Sequence, residues 1–453
     1  MAAPARKTYH AYSGGKPLTD VNLRSGIIRV ALVTAGSRGD VQPLIALGAE
    51  LRRRGHEVIL GVPPNLVALA AGAGLAVEAV GPDTQRLLLS EEGQRWLAAG
   101  NVRAFMDALS RIGRDAFPRL GRELLSLGGR VDLLVTGPLT EDGVACVGEA
   151  LRLPVVAVHT APLRPTRGYP NCLVTTRRLP GWLNLATGLL FEWAWWRRVR
   201  SDIGQFRREL GIPPTSWRTS KRLAGQGALE LQAYSGSVVP RLRDYSRLRP
   251  IIGFLTLDAG AAAMVGAGGC DRELSEWIKA GRPPVYFGFG SMPVPDGEQT
   301  LAMISRVCRS LGVRGLVTRG WANLGSGGHA VDPELIRVTG ALNHEAVLPL
   351  CRAVVHHGGA GTTAAGLRAG LPALVCSVFA DQPFWGERIR DLAVGEHIHY
   401  ARLTEATLES GLGAVLDQGM GDRAKRLQAA LHLETPAASV AADLIEGAAG
   451  AGA

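Results

Sequence analysis

The sequence predicts an α/β protein built from two open, doubly wound parallel sheets that face one another across a cleft. Two observations carry that expectation. Short β-branched runs without polar alternation end in glycine-containing turns and lead into amphipathic helices, the grammar of parallel strands covered on both faces. This grammar occurs in two series separated by a stretch of small residues. The chain has 453 residues, enough for two or three domains at roughly 100–200 residues each. With 46% hydrophobic and 20% charged residues, it has ample material for full-sized cores and is not a disordered chain.

The first strand is Ile27-Ile28-Arg29-Val30-Ala31-Leu32-Val33, which stops at Thr34-Ala35-Gly36-Ser37-Arg38-Gly39-Asp40. A helix is expected to begin at Pro43, whose fixed φ suits a first turn, and to end at Arg52-Arg53-Arg54-Gly55. Strands follow at Val58–Val62, Val131–Val135 and Pro154–Val158. The second series runs through Pro284–Ser291, a helix around Thr300–Leu311, Arg314–Thr318, Leu335–Val338, Ala353–His356 and Ala373–Cys376. Between the series, Pro250–Gly269 carries Asp258-Ala259-Gly260-Ala261-Ala262-Ala263 and Gly266-Ala267-Gly268-Gly269, the composition of a linker. The expected division is an extension over 1–26, a first domain over 27–250, a linker over 251–272 and a second domain over 273–453. Ligands of such sheets bind beyond the carboxyl ends of the strands, so the cleft is the expected site.

The formal charge is +10, with Lys only at positions 7, 16, 221, 279 and 425, so the cation is almost all Arg. No basic run exceeds Arg52-Arg53-Arg54, which argues against a nucleic-acid face. The six cysteines lie far apart with no C-x-x-C pair, as expected of thiols in a reducing compartment rather than a disulfide framework or zinc ribbon. Residues 1–26 lack the apolar core of a signal peptide, and the apolar stretch Trp182–Trp196 is too short to span a bilayer. A cytoplasmic protein is expected. Between 180 and 217 lie five of the nine tryptophans, and Trp182, Leu185, Leu189, Trp193 and Trp196 fall at helical spacing, followed by Arg197, Arg198 and Arg200. A packed helix, the wall of an apolar ligand pocket and an interfacial helix touching membrane all fit this pattern.

The strongest chemical signal is His356-His357-Gly358-Gly359-Ala360-Gly361-Thr362-Thr363, which closes a strand and opens a helix. Its glycines allow close backbone approach, and the free N–H groups of a helix start suit an anion such as a diphosphate. Thr362 and Thr363 add hydroxyls and His357 a ring N–H. A glycine-rich tight turn with an exposed His pair is the plainer alternative. Neighbouring histidines on a strand point to opposite faces, so zinc is a poor reading. His397 and His399 share a strand face without a third ligand and read as structural or pocket-lining. Phe379-Ala380-Asp381-Gln382-Pro383 pairs an acidic acceptor with an amide, suited either to vicinal sugar hydroxyls or to an Asx turn. Asp40, beyond the first strand, reads as a helix cap or as a general base.

Taken together, Gly36–Pro43, Phe289-Gly290-Ser291, Arg319-Gly320-Trp321, Asn343-His344, His356–Thr363 and Ala380–Trp385 resemble the inverting nucleotide-sugar glycosyltransferases of the GT-B fold. The branch most similar holds the sterol 3-beta-glucosyltransferases and the glucosyltransferases of glycopeptide antibiotics, and the resemblance covers roughly residues 27 to 445. It implies Asp40 at the catalytic-base position, where many relatives have His. Ser291, His357, Gly359, Gly361 and Thr362 match the positions that hold the donor diphosphate. Trp321, Leu342 and Asn343 match the nucleoside contacts, and Asp381 and Gln382 the pair that binds the transferred hexose. Glu396-His397-Ile398-His399-Tyr400 departs from the proline-containing pattern of relatives.

The resemblance implies glucose transfer from a nucleoside-diphosphate sugar, UDP-glucose first, to a hydroxyl of a hydrophobic acceptor such as a sterol, polyketide or flavonoid, with inversion. It needs no cofactor beyond that co-substrate and no metal. The acceptor is expected from the first domain, with His159, Trp182, Trp193 and Trp196 as candidates and peripheral membrane contact as a further expectation. Two other classes stay open: a catalytically idle partner protein with the same fold, and a nicotinamide-dependent oxidoreductase. The second would need G-x-G-x-x-G where the chain has Gly36-Ser37-Arg38-Gly39.

Overall fold

A computed structural model describes residues 26–91, 93, 102–257, 260, 262, 272–292, 296–321, 324–325 and 331–451. The extension over 1–25 and most of the expected linker, including 263–271, lie outside the described residues. The first sheet holds β1 (Arg29–Val33), β2 (Glu57–Val62), β3 (Ala76–Ala79), β4 (Leu133–Thr136), β5 (Val155–His159) and β6 (Leu229–Gln232), in the order β3-β2-β1-β4-β5-β6. The second holds β7 (Val285–Gly288), β8 (Gly315–Thr318), β9 (Ile336–Thr339), β10 (Ala353–His356), β11 (Ala373–Ser377) and β12 (Gly395–His399), in the order β12-β11-β10-β7-β8-β9. Every pairing is parallel. Numbered from its own first strand, the second sheet repeats the 3-2-1-4-5-6 order of the first. The expected fold class is therefore observed.

Burial explains why these runs are strands. In β1 every residue after Arg29 is buried, and β4, β5, β7, β8, β10 and β11 are buried throughout. Helices cover both faces of each sheet, so the central strands are buried along most of their length. The order of strands reverses between β1 and β4, and again between β7 and β10. At such a switch point successive connections leave on opposite faces and open a crevice. The Gly36–Asp40 turn follows β1, and the His356–Gly361 turn follows β10. Those two turns face each other, because the Arg38–Arg53 helix packs against the Ala360–Arg368 helix of the other domain.

Two features differ from the expectation. The first helix starts at Arg38, five residues before Pro43, which lies inside it. Ser37 is the N-cap, and its hydroxyl accepts from Gly39 N at 3.2 Å. That cap outcompetes the proline signal, because a helix can carry Pro just past its first turn at the loss of one backbone hydrogen bond. The chain also does not end within its second domain. The Ala437–Ala451 helix returns to the first, where Ala441, Ala442 and Ile445 join the core of Leu44, Leu47, Leu51 and Leu60. Arg54 fixes it there through Asp443 at 2.5 Å and Glu446 at 3.1 Å.

Since Ile445 is fully buried against the first domain, Ile445→Ala should lower unfolding free energy by about 2–5 kcal/mol. Chemical denaturation followed by circular dichroism would measure it. A loss below about 1 kcal/mol would mean that the helix is only loosely docked.

Candidate functional site

The first-domain side of the cleft is built by the capping box at the start of the Arg38–Arg53 helix. Asp40 is the third helical residue, and its Oδ2 accepts from Ser37 N at 2.7 Å and Ser37 Oγ at 3.3 Å. Gly36 has φ +115°, and a Cβ there would sit 2.3 Å from the Asp40 carboxylate. Only glycine allows the carboxylate to fold back against the turn. Burial raises the Asp40 pKa to about 6, against the two Ser37 hydrogen bonds and with a further push from Asp381 across the cleft. The helix cap is Ser37, and Asp40 completes its capping box as a carboxylate whose pKa burial raises at the cleft.

Opposite it, β10 delivers the glycine turn. His356 is fully buried, with Nδ1 accepting from Gly358 N at 3.0 Å and Nε2 without a partner. His357 is turned toward the cleft side, where a Cβ at Gly290 would lie 2.9 Å and one at Gly359 2.5 Å from its ring. Both glycines are therefore required by the imidazole between them. Burial lowers the His357 pKa to about 4, so the ring is neutral near pH 7. Its Nδ1 and the Oγ1 of buried Thr363 have no partner. The first intrahelical bond runs from Thr363 N to Gly359 O at 2.9 Å, which leaves the amides of Ala360, Gly361 and Thr362 unbonded within the helix. Free amides beside the unpartnered His357 Nδ1 can hold an anion.

The neighbouring turns complete the cradle. Gly290 and Gly320, with φ +59° and +55°, bring their backbones together, and Trp321 N donates to Gly290 O at 3.0 Å. This sets Ser291 and Trp321 side by side. Leu342 is buried in the second core, and Asn343 caps a short helix by accepting from Glu345 N at 3.1 Å. His344 follows it, its Nε2 2.9 Å from Tyr286 Oη. The nucleoside candidates therefore include one packed residue, Leu342, and one capping residue, Asn343.

Asp381 accepts from Trp385 Nε1 at 2.9 Å, and burial raises its pKa to about 6. Ala380, at φ +58°, takes the left-handed turn that aims it. Gln382 is buried; its Oε1 accepts from Val378 N at 2.9 Å and its Nε2 lies 3.1 Å from Met292 Sδ. Within this geometry Gln382 holds the turn, while Asp381 keeps an oxygen for the cleft.

The acceptor candidates do not converge. His159 is buried, its Nε2 2.9 Å from Glu141, in a cluster where Arg164 bridges Glu141 at 2.7 Å and Glu230 at 2.6 Å. Arg164 and His159 hold the Glu141 carboxyl down at about 2 despite its burial. On the Gly181–Glu209 helix the predicted single face divides. Trp196 packs on the first-domain core, whereas Trp182 and Trp193 are 64% and 52% exposed. The helix is long enough to bring residues in line at 182 and 193 but drifts before 196 relative to its neighbours.

Comparison with known proteins decides the family. Residues 30–167 match the glycosyltransferase family 28 N-terminal domain, and residues 323–446 the C-terminal domain of erythromycin biosynthesis protein CIII-like proteins. An uncharacterized glycosyltransferase of Mycobacterium leprae is 37% identical over 92% of this chain and 96% of its own. The chain belongs to the GT-B glycosyltransferases. A sterol 3-beta-glucosyltransferase of Arabidopsis thaliana is 31% identical over 90% of this chain and 66% of its own. Among solved structures, the spinosyn forosaminyltransferase SpnP aligns with a TM-score of 0.67 at 18% identity, covering 94% of this chain and all of its own. The glycosyltransferase VinC, solved with dTDP, gives 0.62 at 17%, covering 93% and 99%.

One residue of this glycosyltransferase cleft escaped the sequence reading. Arg38 donates from Nε to Gln42 Oε1 at 3.0 Å, has no ion-pair carboxylate among the described residues, and has its pKa lowered by burial. It lies close enough to His344, in the other domain, to help burial lower that ring to about 4. The signal was present: an arginine flanked by Gly39 and Asp40 at a strand end has no carboxylate at helical spacing to pair with.

Because the Asp40 pKa is raised on folding, the folded chain holds that proton more tightly than the unfolded one. The cost of its charge is complete above about pH 6 and absent below about pH 4. Asp40→Asn keeps the acceptor for Ser37 N and removes the charge. Its Tm should exceed that of the wild type at pH 8, with the difference gone near pH 4; equal Tm values at pH 8 would refute the desolvation.

Proposed function

We propose that this glycosyltransferase is an inverting, metal-independent enzyme that moves glucose from UDP-glucose to a hydroxyl of a hydrophobic acceptor such as a sterol, polyketide or flavonoid. The observation that carries the reading is the pair of turns, a desolvated carboxylate at Asp40 facing an anion cradle of free amides at Ala360–Thr362. The sterol glucosyltransferase relative supports the choice of sugar and acceptor class. VinC, solved with dTDP, makes dTDP-sugars the second donor to try.

In this reading the acceptor O–H gives its proton to Asp40 as its oxygen attacks the anomeric carbon of the α-linked donor. The bond from that carbon to the diphosphate oxygen breaks on the opposite face, and the product is a β-glucoside with a nucleoside diphosphate released. The departing diphosphate gathers negative charge. Gly359, Gly361 and Thr362 present N–H groups to it, Ser291 and Thr362 hydroxyls, and neutral His357 one ring N–H. Arg38 adds the positive charge from the opposite domain, so leaving-group stabilisation requires a closed cleft. Trp321, Leu342 and Asn343 bound the nucleoside, and Asp381 reads the hexose hydroxyls from the turn that Gln382 holds. The helix terminus and Arg38 supply the charge that a metal ion supplies elsewhere.

Incubation with UDP-glucose and a panel of sterols, flavonoids and macrolides should release UDP and produce one acceptor heavier by a hexosyl residue, unaffected by EDTA. Asp40→Asn should then lose about 10²–10⁴ in kcat with donor affinity retained. Near-full turnover of that variant would exclude Asp40 as the base, and Arg38→Met with unchanged kcat would exclude the clamp. No transfer to any acceptor from either UDP- or dTDP-sugars would favour an idle partner protein.

A further inference from the structure

The Gly181–Glu209 helix leaves an apolar stripe in water that the transfer chemistry does not explain. Trp182, Leu189, Leu190 and Trp193 are about half exposed and follow one another along a single face. At 1.5 Å per residue this part of the stripe runs about 16 Å. Trp217, 56% exposed, joins it from the next segment, held there by Arg218, which donates to Leu189 O at 3.4 Å and pairs with Glu192 at 3.3 Å. Five large side chains in water on one flank form a patch that marks an interaction surface.

The charges around the patch choose its partner. Further along the same face the exposed residues become Arg197, Arg200 and Arg208. The Arg197 guanidinium lies 5.1 Å from the Trp193 ring centroid, and Lys221 Nζ 4.6 Å from that of Trp217. The nearby carboxylates are engaged within the protein: Glu192 by Arg218, and Asp202 by Arg114 at 3.5 Å. The face therefore offers indoles, leucines and guanidinium groups that pair with no carboxylate among the described residues. Indole rings settle at the depth of lipid headgroups, and arginines beside them meet lipid phosphates. No helix among the described residues is long and apolar enough to cross a membrane, so contact would be in the plane of the surface.

We propose that this face of the Gly181–Glu209 helix docks the protein on an anionic lipid bilayer, with Trp182, Leu189, Leu190, Trp193 and Trp217 inserted at the headgroup level and Arg197 and Arg200 on lipid phosphates. The start of the helix adjoins the cleft. Asn184 Nδ2 donates to Arg167 O at 3.0 Å, and Asn184 also lines a cavity of about 390 Å³ with Tyr169, Arg178, Phe384, Arg388 and Asp391, between the two domains. The docking itself does not depend on the acceptor.

Sedimentation of the full chain with vesicles of phosphatidylcholine, and of phosphatidylcholine with phosphatidylglycerol, tests it. The wild type should bind the anionic vesicles at low salt, with a blue shift of tryptophan emission, and bind the neutral ones at least about tenfold more weakly. Arg197→Glu with Arg200→Glu should weaken anionic binding at least about 25-fold, at roughly fivefold for each arginine removed. Trp182→Ser with Trp193→Ser should abolish the blue shift while the melting curve stays cooperative; if that pair fails to fold, Trp217→Ser alone should reduce both binding and shift. Absence of binding, equal binding to both vesicles, or unaltered binding by the variants overturns the proposal. So does a dimer in sedimentation velocity that Trp193→Ser dissociates, which would assign the face to a second copy.

Discussion

The cleft depends on keeping an unpaired carboxylate out of water. Among the described residues no cation pairs with Asp40; two donors from Ser37 hold it, and burial still raises its pKa to about 6. Such a group is unfavourable for folding and favourable for proton transfer. What tolerates it is the surrounding frame. β1 is buried on both faces, the Ser37 cap fixes the helix start, and Gly36 leaves room for the carboxylate to fold back. The second sheet answers with the same topology and another glycine turn, also with unsatisfied polar atoms. Two domains of one architecture thus present different groups, a carboxylate of raised pKa on one side and free backbone amides on the other.

Burial sets most of the charge balance of the cleft, and the facing domain adds to it: Asp381 raises Asp40 further, and Arg38 helps lower His344. All three imidazoles around the glycine turn, His344, His356 and His357, stay neutral near pH 7. The described cleft therefore carries two reluctant carboxylates and one desolvated arginine, an arrangement that an incoming diphosphate would complete by pairing with Arg38. The helix Ala437–Ala451, anchored on the first domain through Arg54, ties the end of the second domain back across that gap.

Much of this was legible in the residues, for physical reasons that vary along the chain. Central strands such as Ala353–His356 read clearly because a doubly covered strand must be apolar throughout. Among the edge strands β9 was read, whereas β3 was not: Ala76–Ala79 is four residues long with Glu78 in it, and its burial is only partial. Pro43 misled because proline is allowed at more than one position, while the deciding cap, Ser37, is a small polar residue like many others. The glycine turn and Asp40 were found from residue type and strand context. Gln382 was found, but its engagement with Val378 and Phe379 belongs to turn geometry, which spacing does not encode. The tryptophan face divided because its pattern registers hydrophobicity and not what lies opposite; Trp196 meets a core and Trp193 meets water.

The account stands most directly on the ionisation of Asp40 during turnover. The pH dependence of kcat/KM, measured with a donor and acceptor that support transfer, would read it in the free enzyme. A desolvated base predicts an acid limb centred near pH 6 that disappears in Asp40→Asn. A limb near pH 4, or one near pH 6 that survives the substitution, would contradict the account.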